Sequence, residues 1–61
     1  MEILRSMTFG PFRRYRLDVC RDRFGSTVYL VLDAERPDAT GLPSIIRQEA
    51  TEEAARKGLE S

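Results

Sequence analysis

With 61 residues, the chain falls far below the ~150 that serve as a soft prior for one domain, so a single small domain spans 1–61. A chain this short buries only about 60% of the surface its unfolded form exposes, which leaves little scaffold for a deep catalytic cleft. Hydrophobic residues at 41% and charged residues at 33% describe a foldable chain and exclude the regime of intrinsic disorder.

One cysteine and no histidine exclude an internal disulfide and an ordinary structural zinc site. For a core of this size, oligomerisation is the remaining staple. The longest apolar stretch, Val28 to Leu32, is far shorter than the ~20 residues a membrane span needs. Residues 1–7 lack the apolar region of a secretory signal, so a cytoplasmic chain with a free thiol is expected. Charge is zero overall but uneven: residues 1–30 carry six arginines against three carboxylates (+3), and residues 31–61 carry four basic against seven acidic groups (−3). Two halves that neutralise each other gain little long-range attraction to a polyanion.

In chain order, residues 1–11 form an apolar segment (Met1, Ile3, Leu4, Met7, Phe9) that ends at Gly10-Pro11. Such a density of apolar groups is expected to cover the sheet or dock on a second chain. Residues 12–34 read as a β-hairpin. In its first strand Tyr15, Leu17 and Val19 alternate with Arg14, Arg16, Asp18 and Cys20, the period of a half-buried strand. Asp22-Arg23-Phe24-Gly25 suits a type I turn with a bulge glycine. The second strand carries Val28, Leu30 and Leu32 on one face and Tyr29 and Val31 on the other, which marks it as central, with Val28 and Leu30 essential to the core. Two prolines, Asp38 and Gly41 make residues 35–43 a loop. Residues 44–50 follow as an edge strand. A helix over 51–60 takes Thr51 as N-cap, Glu52 and Glu53 in its first turn, and Ala54, Ala55 and Leu59 on its inner face. The expected fold is α+β: a three-stranded antiparallel sheet with one short C-terminal helix.

No catalytic constellation emerges. Cys20 has no histidine to activate it and is expected to be an inert, half-exposed strand residue. Asp18, Asp22, Asp33 and Glu35 interleave with arginines and are expected to form cross-strand ion pairs on a solvated face. No glycine-rich phosphate loop occurs, and no cofactor is expected. Arg14, Arg16 and Arg23, with Phe24 and Tyr29 beside them, form the candidate binding surface, because arginine forks grip phosphates or carboxylates. Asp33, Glu35 and Asp38 make an acidic second patch.

The run Arg21 to Gly25, the strand Tyr29-Leu30-Val31-Leu32 and the ending Ala54 to Ser61 resemble one repeat of the YegP-like small domains, a likeness that implies a fold and no chemistry. The β-β-β-α order with Thr51-Glu52-Glu53-Ala54 opening the helix is also similar to the arm-type DNA-binding domain of tyrosine integrases. That second resemblance implies a sheet laid in a DNA groove. The residues favour a non-enzymatic module that binds another protein, such as a phage-type or mobile-element inhibitor or accessory factor. The alternative is a nucleic-acid-binding module using the arginine-bearing sheet face. A homodimer is expected to form through Ile3, Leu4, Met7, Phe9, Ile45 and Arg47, with no membrane partner.

Overall fold

The computed structural model describes residues 1–60. Four strands, β1 (Glu2–Phe9), β2 (Tyr15–Arg21), β3 (Thr27–Pro37) and β4 (Pro43–Glu49), form one antiparallel sheet in the order β1-β2-β3-β4. A five-residue helix, α1 (Glu52–Arg56), packs on one face. The α+β class stands, but three strands were expected and there are four. The extra strand is the N-terminal segment, which pairs along β2 from Glu2 opposite Arg21 to Phe9 opposite Tyr15. It is an integral edge of the sheet, so it does not lie over a sheet face.

The reason the segment escapes a period-two reading lies in its register. Ile3 pairs with Cys20 and Arg5 with Val19, so Leu4 is the extra residue of a β-bulge. A bulge adds one residue and resets the alternation. Beyond β1, Gly10 (φ 81°) turns the chain where a Cβ would sit 2.7 Å from the Tyr15 ring and 3.2 Å from the Leu59 carbonyl. Only glycine fits there. Pro11–Arg13 then form a 3₁₀ turn, so β2 starts at Tyr15 and not at residue 12.

The hairpin turn follows the sequence reading. The Asp22 carboxylate accepts from the Phe24 and Ser26 amides at 2.8 and 2.9 Å, and Gly25 supplies φ 82°. β3 runs on through Arg36 and Pro37, residues that were expected in the loop; proline is tolerated there because it sits at the strand's last position. Thr51 caps α1 by accepting from the Ala54 amide at 3.2 Å. The helix stops at Arg56, several residues before the expected end at 60.

The core lies between sheet and helix: Phe9, Leu17, Val31 and Ala55 are buried, with Met7, Tyr15, Tyr29 and Leu59 packed around them. Val28 and Leu30, expected to be essential, are only half-buried. They occupy the opposite face, opposite Cys20 and Asp18 in the register.

Candidate functional site: the open sheet face

Alternation along β2 and β3 sorts the predicted site residues onto two faces. Tyr15, Leu17, Val19, Tyr29, Val31 and Asp33 share the helix-covered face, and Arg16, Asp18, Cys20, Val28, Leu30 and Leu32 share the open one. Arg14 and Arg16, expected to project together, separate because Arg14 caps the 3₁₀ turn in a helical conformation and is not part of the strand. Arg14 lies just before β2 and donates from Nε and Nη2 to both carboxylate oxygens of Asp33, each at 3.0 Å. Glu35 approaches the same Nε at 2.9 Å, and Arg36 lies 3.8 Å from Asp33. The hydrogen-bonded Arg14 guanidinium holds the Asp33 carboxyl below the usual carboxylate range, and Asp33 in turn raises Arg14. Asp33 is 1% exposed, so this is a buried, bidentate pair and not the solvated one expected.

On the open face Arg16 grips Asp18 through Nε at 3.2 Å and Nη2 at 3.3 Å, and Ser6 donates its hydroxyl to Asp18 at 2.7 Å. Asp18 is also buried, again contrary to the solvated face expected. Cys20 is buried as well, and burial, with the Asp18 charge second, pushes its thiol above its ordinary value. The half-exposed cysteine expected from alternation is thus an enclosed, unreactive one.

The remaining candidates scatter. Arg23 stacks over the exposed Phe24 ring at 5.1 Å on the β2–β3 turn. Tyr29 packs against the core from the other face. Asp38 organises the β3–β4 loop, accepting from the Thr40 hydroxyl and from the Thr40 and Leu42 amides; these bonds, the hydroxyl's foremost, lower its carboxyl. Met7 and Phe9, expected at a dimer contact, are core residues: Met7 Sδ accepts from Arg56, whose guanidinium lies 4.9 Å over the Phe9 ring. Arg47 is likewise internal, donating to the Ala54, Ala55 and Lys57 carbonyls at 3.2, 3.1 and 2.8 Å. It satisfies the orphan acceptors at the C-terminus of α1.

The apolar groups left over gather on the open face. Ile3 on β1 and Ile45 on β4 are each 59% exposed, and Val28 and Leu30 lie between them on β3. The β3–β4 loop borders this face in a shallow hollow lined by Arg16, Leu32, Asp38, Leu42 and Ile45. Its charged groups, Arg16 and Asp18, cancel one another. Sequence reasoning passed over this face because it read Val28 and Leu30 as core. The one available signal was that a single short helix covers one sheet face and leaves the other bare. Among the described residues no group of three or more histidine, cysteine, aspartate or glutamate side chains is placed to hold a metal ion, and no helix is long and apolar enough to cross a membrane. No protein-family model, curated protein or solved structure matches this chain.

Proposed function

We propose that the chain is a non-enzymatic binding module that docks another protein on the open face of its sheet. The observation that supports this reading is the apolar surface Ile3, Val28, Leu30 and Ile45, which spans the sheet from edge to edge opposite the helix. Sheets with one apolar face uncovered bury it against another layer. The groups that chemistry would need are committed elsewhere. Asp18 and Asp33 are held by arginines, and Cys20 sits enclosed with a raised pKa. Of the arginines that would grip a nucleic-acid backbone, Arg14 and Arg16 are spent on carboxylates and Arg23 stands apart on the β2–β3 turn against Phe24, so protein is the partner class the surface favours.

Site-specific photo-crosslinking tests the reading. A photoreactive residue at position 30 is expected to give covalent adducts with polypeptide in a lysate of the source cells, and the same residue at position 57, on the helix side, is expected to give none. Absence of any polypeptide adduct from position 30 would overturn the docking face.

A further inference from the structure

We infer that the occupant of the open face is a second copy of this chain, packed sheet to sheet about a two-fold axis that runs along β3. The inference rests on the reading of that face as a docking surface and assigns its partner. Three features of the face carry it.

The first is the lateral order of side chains. In the middle layer Leu30 on β3 is flanked by Asp18 on β2 and Gln48 on β4. A two-fold along β3 therefore stacks Val28 and Leu30 on the same residues of the partner, giving an apolar seam. The same operation lays β2 of one copy over β4 of the other. The Arg16–Asp18 pair then faces the partner's Gln48, an amide that donates to a carboxylate and accepts from a guanidinium. The match is reciprocal, as an isologous contact requires.

The second is charge. Arg16 and Asp18 are already joined by two contacts, and Ser6 supplies a further bond to Asp18. The centre of the face thus approaches its own copy with its ion pair already formed, and Asp38 lies at its border in the β3–β4 loop. An uncompensated buried charge is what would forbid such a contact.

The third is area. The molecule is a slab with extents of 32 × 28 × 15 Å. Its broad face has a footprint of about 900 Å², and with three of four strands overlapping about 650–700 Å² per copy is covered, which clears the ~1,000 Å² total of a specific interface. Packing two sheets at ~10 Å doubles the thin dimension and turns a one-sided slab into a two-layer sandwich flanked by helices.

Sedimentation equilibrium of the full chain, with thiol crosslinking, decides the matter. Wild type is expected at about 14 kDa at high micromolar concentration, twice the 7.0 kDa chain. Leu30→Lys and, independently, the exposed-site Ile45→Lys are expected to sediment as monomers with unchanged circular dichroism. In a Cys20→Ala background, Leu30→Cys is expected to be joined to its copy by a bis-maleimide crosslinker about 10 Å long, because the axis places residue 30 opposite its copy across the ~10 Å between the sheets, beyond the reach of a disulfide, whereas Lys57→Cys on the helix side is expected to stay monomeric. A wild-type mass of 7.0 kDa, or a dimer that survives Ile45→Lys and forms no crosslink through Leu30→Cys, would overturn the inference. Monomeric behaviour together with position-30 adducts to a different polypeptide would remove the second copy while leaving the docking face intact.

Discussion

The two faces of the sheet are made from the same four strands yet solve opposite problems. On the helix side Leu17 and Val31 have no exposed surface and α1 closes over them through Ala55, with Leu59 just beyond its end packed beside it. On the other side Cys20 and Leu32 are buried beside the long side chains around them, but Val28 and Leu30 remain half-buried, with Ile3 and Ile45 open at the edges. Each face buries one aspartate and neutralises it with an arginine from its own neighbourhood, Arg14 for Asp33 and Arg16 for Asp18. Apolar side chains on a given face therefore do not make it a core. What separates the two is the presence of a layer above them, and a five-residue helix suffices for one side only.

Substitutions that break this contrast differ in size. The largest effect is expected from Leu17→Ala: truncating a fully buried leucine costs ~2–5 kcal/mol, most or all of the ~3–5 kcal/mol a core of this size supplies. Urea titration followed by circular dichroism is expected to find Leu17→Ala unfolded at 25 °C and Leu30→Ala still folded. Equal losses at the two positions would erase the distinction between the faces.

Acid titration probes the ion pair at the end of the covered face. Because Arg14 lowers the Asp33 carboxyl, its stabilisation is complete above the unfolded carboxylate value of ~3.9. It is lost as pH falls through the lower folded value, where the pair must take up a proton. Thermal melts from pH 7 to pH 2 are expected to show wild type losing stability across that acid window. Asp33→Asn is expected to be weaker at pH 7 and flatter below pH 4, and an acid limb as steep as that of wild type would show that other carboxylates dominate.

The helix lid provides the intermediate effects. Arg47 gathers three carbonyls at the end of α1, and hydrogen bonds from a charged donor contribute about 1.5–3 kcal/mol. Arg47→Met is expected to lose about that much and to raise amide exchange in 54–59 before the rest of the chain. The Thr51 cap is smaller: Thr51→Ala is expected to cost ~1 kcal/mol in the same urea titration.

Much of this architecture was readable in the residues, where local chemistry decides it. Asp22 and Gly25 specify the hairpin turn, Thr51 specifies the helix start, and the alternation Tyr15-Leu17-Val19 identifies the inward face of β2. What escaped is what only pairing decides. Leu4 sits in a bulge, so Glu2 to Phe9 shows no clean period of two, and what makes it a strand is its pairing with β2 beyond the Gly10–Arg14 turn. The binding surface proposed from Arg14, Arg16, Arg23 and Tyr29 dissolved for a related reason. Arg14 precedes β2 and turns to Asp33, Arg16 turns to Asp18, Arg23 stacks on Phe24 at the turn, and Tyr29 faces the core. Burial of Asp18 and Asp33 is equally invisible from composition, since a paired aspartate and a solvated one read alike.

The smallest expected effect belongs to the edges of the open face. Ile3 and Ile45 each keep more than half of their surface in solvent within one chain, so Ile3→Ser and Ile45→Ser remove little buried area. Surface changes of this kind shift folding by no more than ~0.5 kcal/mol. If the open face stays bare, their urea midpoints equal that of wild type at every protein concentration. If a second copy covers it, wild type gains stability as concentration rises, because anything that binds only the folded state adds to it by mass action. Ile45→Ser, within the three overlapping strands, then loses that gain without losing the baseline, and Ile3→Ser, on β1 outside them, keeps it. Urea titrations at 1 µM and 200 µM are expected to show wild type and Ile45→Ser coinciding at the lower concentration and separating at the higher. Coincidence at both would leave the uncovered sheet with no partner of its own kind.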